Sequence, residues 1–596
     1  MRKKIFAILM ATCLLLSVFA GCNAGNKANS KLTLKTPGEV VASTNGGFAV
    51  ETENYVYFIN GVGAYTDNNK YGKPLEGALM VAPKTDLTKA EVFLPKLMTA
   101  GYYGAGIYVY DGYVYYATPS TEKTNEGELA SNFLEMCRTK VDGSKTEFMF
   151  RLEGNSTQYK FTCDDQGNVY CVYYNSADAE IISYNVATGK KAVLAEDVAN
   201  VFFSDDVNVA TLVYTKNIAK ETSLDEENPE YYDYNEVYVV DAWDEAGTKV
   251  MDGTPRTGNE SLQGIKFTIT AFVGEYVMVS MQEVNSEYTY SAYASLADLK
   301  EDTLQQVKDS TLLAATTLVV SANELITNVT VNEKNIIAKH TINRDGTSSK
   351  VAIVEAQGAT LLSTDGTYVY YYTSSSILAR AKLDGSIIAG EEEVEQLLGD
   401  DAYNTSWFKP EVLNINGKET VLFSNSDAKG LNYIHMIDLT AEKVEELDDE
   451  GEVEKTYWAN TVISIMTDSD MATKVTAIIN DELPVGELDV AENSEDMVAL
   501  AKVKATYEAL TKAQKELVSE DVAAKITEME EVVAFIKEVA AITLTEETIT
   551  KNDAQMIKDL VKEYQDFSST AQNYVPVNEI RNKLYKLDNV VIENKW

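Results

Sequence analysis

Histidine is nearly missing from this chain. Two in 596 residues leave little room for imidazole catalysis or a His-rich metal site. Basic side chains are also short, with 51 Lys and Arg against 92 Asp and Glu, a net charge of −41 at pH 7. Nucleic-acid binders neutralise phosphates with Lys and Arg, so this balance excludes nucleic acid as a partner. It also excludes broad adhesion to anionic lipid. Proline (10) is scarce, and cysteine (5) is too sparse for a disulfide framework. No Gly-x-Ser-x-Gly nucleophile elbow occurs. Gly189-Lys190 and Gly417-Lys418 lack the flanking residues of a phosphate loop, and Gly61-Val62-Gly63 fails the dinucleotide spacing. No motif calls for a cofactor or a metal. Asn343-x-Asp345-Gly346 and Asp468-x-Asp470 each offer two ligands, short of a calcium loop.

Only one long apolar run is present, Ile5–Ala20, preceded by Arg2, Lys3 and Lys4. Its 16 residues suit a signal peptide better than a membrane span. Phe19-Ala20-Gly21-Cys22 resembles a bacterial lipobox, with Phe where Leu is usual. That resemblance implies lipidation of Cys22 after removal of residues 1–21, and anchoring at the outer face of the cytoplasmic membrane. Two acyl chains suffice for a stable anchor, whereas one binds marginally. Residues 22–39 then read as a polar tether. Removing three basic and no acidic residues leaves 48 against 92, so the mature chain carries −44.

Of the remaining cysteines, Cys163 and Cys171 flank the turn 164–168 and fall on the same face of an alternating strand. A hairpin disulfide and two reduced, buried thiols are both open readings. Cys137 is the odd one out.

Residues 40–445 repeat. Strands such as Tyr55-Val56-Tyr57-Phe58, Tyr113-Val114-Tyr115-Tyr116, Val169–Tyr174, Thr211–Tyr214, Tyr276–Ser280, Asn335–Ala338, Tyr368–Tyr372 and Lys418–Phe423 recur about every 50 residues. Several are followed by Asp-Gly turns at 142–143, 345–346 and 384–385, which supply the positive φ of a tight hairpin. Units of this length with up to four short strands predict an all-β propeller of seven or eight blades. Asp365–Ser386 and Asp111–Ser144 carry the pattern best, and they resemble bacterial lipoprotein propellers similar to low-density-lipoprotein-receptor modules. That family is defined by fold more than by an activity. His340 and His435 fall in strand-like stretches and read as packed residues.

The fourth unit carries an acidic, Tyr-rich insertion, 221–235. A solvated loop is the plain reading. Tyr231, Tyr232, Asp233 and Tyr234 are the candidate ligand contacts, since loops on a rigid rim commonly carry binding residues.

From 446 to 474 the chain reads as an acidic linker with a capping segment around Tyr457 and Trp458. Two helical modules follow, 475–533 and 534–596, forming a small all-α domain. Val503 and Val561, and Gln514 and Gln572, are offset by 58 residues. Tyr507–Val518 resembles the "A-Y-x-A-L-T-x-x-Q-K-x-x-V" repeats of extracellular proteins from Gram-positive anaerobes, which implies a spacer or interaction module.

The expectation from sequence is a monomeric, non-catalytic surface lipoprotein that presents a propeller to a protein, peptide or glycan. The rival expectation is a propeller enzyme acting on extracellular carbohydrate through a carboxylate pair. Among 92 acids, sequence does not single out such a pair.

Overall fold

The computed structural model describes residues 34–596, except 62–76, 99–105, 121–133, 154–157, 205, 207, 219–233, 255–263, 284–285, 287–288, 302, 309–316, 322, 332–333, 344, 356–357, 374–376, 385–394, 399–407, 427–431, 448–452 and 465–467. The chain divides into two compact units, with the boundary in sequence near residue 465. The first is an eight-bladed β-propeller and the second is helical.

Each blade is a four-stranded antiparallel sheet. The blades span 49–94, 108–152, 159–195, 200–252, 265–307, 317–355, 360–396 and 411–462. First strands of blades 4 to 7 touch in succession, as strands nearest the axis do. Second strands are buried on both faces: Tyr55–Ile59 and Val369–Tyr372 expose almost nothing. Strands packed on both sides read as continuous β-branched and aromatic runs. For that reason the repeat seen in the sequence is, with one exception, the set of second strands. The exception is blade 6, where Asn335–Ala338 lies in the third strand and the second is Glu324–Val331.

Turn chemistry follows the sequence. Asp111 and Gly112 adopt φ of 48° and 73° between the paired Tyr110 and Tyr113, and Asn416 and Gly417 adopt 53° and 83° between Ile415 and Lys418. Two successive positive φ values make the turn whose twist matches the flanking strands. Side chains also stand in for backbone between blades. Asn45 bonds both Val109 N (2.8 Å) and Val109 O (3.3 Å), and Asn235 bonds both Phe267 N (2.7 Å) and Phe267 O (2.8 Å). Each such bond stabilises by about 1 kcal/mol net.

One sequence expectation changes, and one choice left open is decided. The acidic stretch after 445 is not a linker. Val444–Leu447 pairs with Val453–Tyr457 as a hairpin, and Asn460–Val462 completes blade 8 as its fourth strand. An exposed edge tolerates acids, so charge alone misled. The Cys163–Cys171 disulfide is absent, and all three described cysteines are free thiols. The register explains it: Cys163 faces Val169 and Cys171 faces Phe161, so the two cysteines sit diagonally. Diagonal neighbours lie about 7–8 Å apart, beyond the roughly 3.5–4.5 Å Cβ separation a disulfide needs.

In the helical unit, Thr511 and Gln514 form a reciprocal capping box, which gives the Leu-Thr-x-x-Gln motif a physical meaning. In the second copy Ser568 caps by accepting from Ala571 N. The helix Glu520–Ala541 belongs to both copies, ending the first and opening the second. No helix among the described residues is long and apolar enough to cross a membrane.

Candidate active site

Asp365 opens the turn between the first two strands of blade 7. Its Oδ1 accepts from Thr367 N and Tyr368 N, both at 2.7 Å. Asp favours such turns because its short side chain bonds its own backbone a few residues on. Oδ2 is left to accept from the Tyr370 hydroxyl at 2.9 Å. Tyr370 is buried in the second strand, and its hydroxyl also approaches Glu419 Oε1 of blade 8 at 3.4 Å. Two carboxylates from adjacent blades thus meet at one phenol. Those two contacts cap the separation of Asp365 Oδ2 and Glu419 Oε1 at about 6.3 Å, and the two carboxyls also interact with each other directly. Glycosidases with a covalent intermediate set their acids about 5–5.5 Å apart, and those using a water between them about 6.5–9.5 Å.

A cation lies beneath. Arg380, in the third strand of blade 7, is opposite Tyr370 in register. Its guanidinium stands 4.0 Å from the Tyr368 ring centre and 4.8 Å from that of Trp458. Trp458 follows the acidic hairpin and donates from its indole to Ala441 O at 3.2 Å, with Lys443 4.5 Å over the same ring. Arginine between a buried indole and a half-buried phenol ring is fixed in place as well as charged.

The electrostatics separate the members. Burial, followed by the charge of Asp365, raises the Glu419 pKa, while Arg380 and the Tyr370 hydroxyl oppose that rise. Burial first, and then Asp365, drives the Tyr370 pKa upward, so the phenol stays a donor. Asp365 is exposed and Glu419 half-exposed, so both face solvent. A carboxyl disposed to keep its proton beside an acid fixed by two amides is the equipment of general acid–base chemistry.

Cys22 and the Tyr231, Tyr232 and Asp233 positions lie outside the described residues. Tyr234 is buried at the start of the strand Tyr234–Asp241, with its ring where a side chain on Gly264 would sit. It therefore presents no surface to a ligand. His340 is buried with Nε2 2.9 Å from Thr327 Oγ1, and His435 stacks on Phe423 with Nδ1 2.6 Å from Asn460 Oδ1. Both are packed strand residues. Asp345 closes its turn by accepting from Thr347 N at 3.0 Å. Among the described residues, no three His, Cys, Asp or Glu side chains converge to hold a metal ion.

No family profile and no curated protein sequence matches the chain. Solved structures do. A puromycin hydrolase is 9% identical with a TM-score of 0.34, over 61% of this chain and 53% of that one. An ulvan lyase, described as a new family of polysaccharide lyase, is 8% identical with a TM-score of 0.34, over 63% and 96%. An oligogalacturonate lyase from Vibrio parahaemolyticus is 10% identical with a TM-score of 0.30, over 70% and 100%. The chain spans about half the length of the puromycin hydrolase it matches. These values assign no substrate. The expectation of a non-catalytic chain is nevertheless corrected. Acids from two blades meet at one phenol here, a carboxylate pair that sequence could not single out.

Proposed function

We propose that the protein is a propeller enzyme acting on extracellular carbohydrate, with Asp365 and Glu419 as its acid–base pair. One observation carries the reading: two carboxylates from different blades share the Tyr370 hydroxyl above a buried arginine. Glu419, disposed to keep its proton, donates it to the leaving glycosidic oxygen. Asp365, fixed by two backbone amides, takes a proton from a water whose oxygen bonds the anomeric carbon as the glycosidic bond breaks, and the proton returns to Glu419 through solvent. Tyr370 brings the two together. Arg380 offsets their charge, so that one of them ionises readily.

The same proposal places the enzyme outside the cell. Lipid on Cys22 holds it at the membrane, with the helical unit as a spacer or partner site. A net charge of −44 on the mature chain keeps the folded body off an anionic surface by repulsion at short range.

The decisive measurement is reducing-end release from a panel of neutral, acidic and amino-sugar polysaccharides by the purified protein. Asp365→Asn and Glu419→Gln should each slow release by about 100-fold or more, as loss of an acid–base group does. Glu147→Gln on blade 2 should leave it unchanged. Release at the parent rate by both site variants would sink the assignment, as would the absence of release from every polymer. Anchoring is tested apart from activity, because Cys22→Ala should move the protein into the medium or stall its processing. Unchanged membrane retention would remove that part of the proposal.

A further inference from the structure

The ring closes between blade 8 and blade 1, and among the described residues no strand is shared across that seam. All four strands of blade 1 fall within 49–94, and those of blade 8 within 411–462. The apolar part of the seam is continuous: Phe408, Leu413 and Ile415 pack into one cluster with Val50 and Tyr57. Its polar part consists of two carboxylates that cross in opposite directions. Glu51, buried at the end of the first strand of blade 1, accepts from Asn414 N at 2.9 Å and pairs with Lys84 of its own blade. Glu411, at the start of the first strand of blade 8, reaches back. Its Oε1 accepts from Phe48 N at 2.7 Å and Ala49 N at 3.4 Å. Each strand thus satisfies amides of the other that no ladder reaches.

The two carboxylates differ in one respect. Glu51 has a cation. Glu411 has a second oxygen, Oε2, that is buried with no hydrogen-bond partner among the described residues. The fit around it is close. A Cβ on Gly47 would come within 1.8 Å of Glu411 Oε1, so glycine alone leaves the carboxyl room, and Phe48 stacks on Phe408 at 5.0 Å. An unpaired charge in such a place costs far more than an unpaired hydroxyl. Around Glu411 the described charged or titratable groups are few. Lys409 lies on its own approach, Glu51 with Lys84 at the far end of the seam, and Tyr108 beside Gly46.

We propose that Glu411 closes the ring as a neutral carboxylic acid, which makes the seam between blades 8 and 1 a proton-dependent latch that loosens in alkaline medium. Burial raises its pKa to about 8, against an ordinary 4.5, while the two amides and Lys409 pull the other way. The folded value exceeds the unfolded one. The latch therefore stabilises fully below about pH 4.5, weakens as pH rises to about 8, and is flat above that.

The test is thermal unfolding of the full-length protein from pH 5 to 9.5, in parent, Glu411→Gln and Glu411→Ala. Glutamine keeps an acceptor for Phe48 N and cannot ionise. Its melting temperature relative to the parent should climb between pH 5 and 8 and then stay level. Alanine should melt below the parent already at pH 5. A Gln variant offset from the parent by a constant amount at every pH overturns the proposal. So does one that loses as much as Ala at pH 5. Should the variants not fold, hydrogen exchange of the parent decides. Protection at Phe48 and Ala49, corrected for intrinsic rates, should fall at least tenfold from pH 6 to 9, while Asn414, held by the Lys84-paired Glu51, keeps its protection. Equal behaviour at the three amides rejects the latch.

Discussion

Blades 2 and 7 carry the same motif, and they use it differently. In both, a tyrosine of the second strand stands opposite an arginine of the third: Tyr115 with Arg138, Tyr370 with Arg380. In both, the guanidinium covers the ring of the preceding tyrosine, at 4.3 Å over Tyr113 and 4.0 Å over Tyr368. They part at the next contact. Arg138 ends on Glu147 of its own blade, Nε to Oε2 2.8 Å, with a quarter of its side chain in solvent. The Glu147 pKa is lowered, by Lys145 first and Arg138 after it. Arg380 is buried under Trp458, and the acids near it come from a turn and from the next blade. There the Glu419 pKa goes up. One sequence motif thus yields a closed surface ion pair in one blade and a proton-holding pair of acids in another. The neighbouring blade supplies the difference.

That comparison is broken most forcefully at the arginines. Arg380→Ala removes two ring contacts, its own packing and the offset to two carboxylates. Contacts of this kind amount to about 2 kcal/mol where desolvated, and an uncompensated buried charge costs more. A loss of about 3 kcal/mol is expected in urea unfolding. Arg138→Ala removes one ring contact and a solvent-screened pair, and should cost about 1 kcal/mol. Equal losses would mean that the two blades use the motif alike, and that the buried cation is packing only.

The same contrast shows where sequence reading reaches its limit. Second strands such as Tyr113–Tyr116 and Tyr368–Tyr372 declare themselves because both faces are buried. So do the Asp-Gly turns at 142–143 and 345–346, whose geometry is set within four residues. Blade 6 is blurred because its third strand carries the stronger run. The acidic hairpin is mistaken for a linker because an outer edge is free to be charged. The acids themselves are illegible. Asp365 looks like any turn aspartate and Glu419 like any strand end, and only ring geometry brings them to one hydroxyl. Glu411 is hidden in the same way, since nothing local marks a residue that meets Phe48 across the closure of the whole ring.

The finest test of the comparison removes a single oxygen. Tyr370→Phe keeps the buried ring and deletes the hydroxyl between the two acids. A hydrogen bond to a charged group contributes about 1.5–3 kcal/mol, and the partial exposure of Asp365 moderates that, so a stability loss of about 1–2 kcal/mol is expected at neutral pH. The hydroxyl is one of the groups that hold the Glu419 pKa down, so without it that pKa rises further. The sign then follows. A carboxyl whose folded value exceeds its unfolded one destabilises the fold as pH climbs from the unfolded value to the folded one. The Phe variant should therefore lose stability more steeply above about pH 4.5 than the parent does. If Glu419 is the acid in sugar release, the alkaline limb of the rate profile should move to higher pH, because the proton is held longer. The matching change on blade 2, Tyr115→Phe, has no pair of acids to retune and should leave that limb where it is. A limb that stays put in Tyr370→Phe while the rate falls would show the hydroxyl to be mere support for the strand, and Glu419 not to be the titrating group.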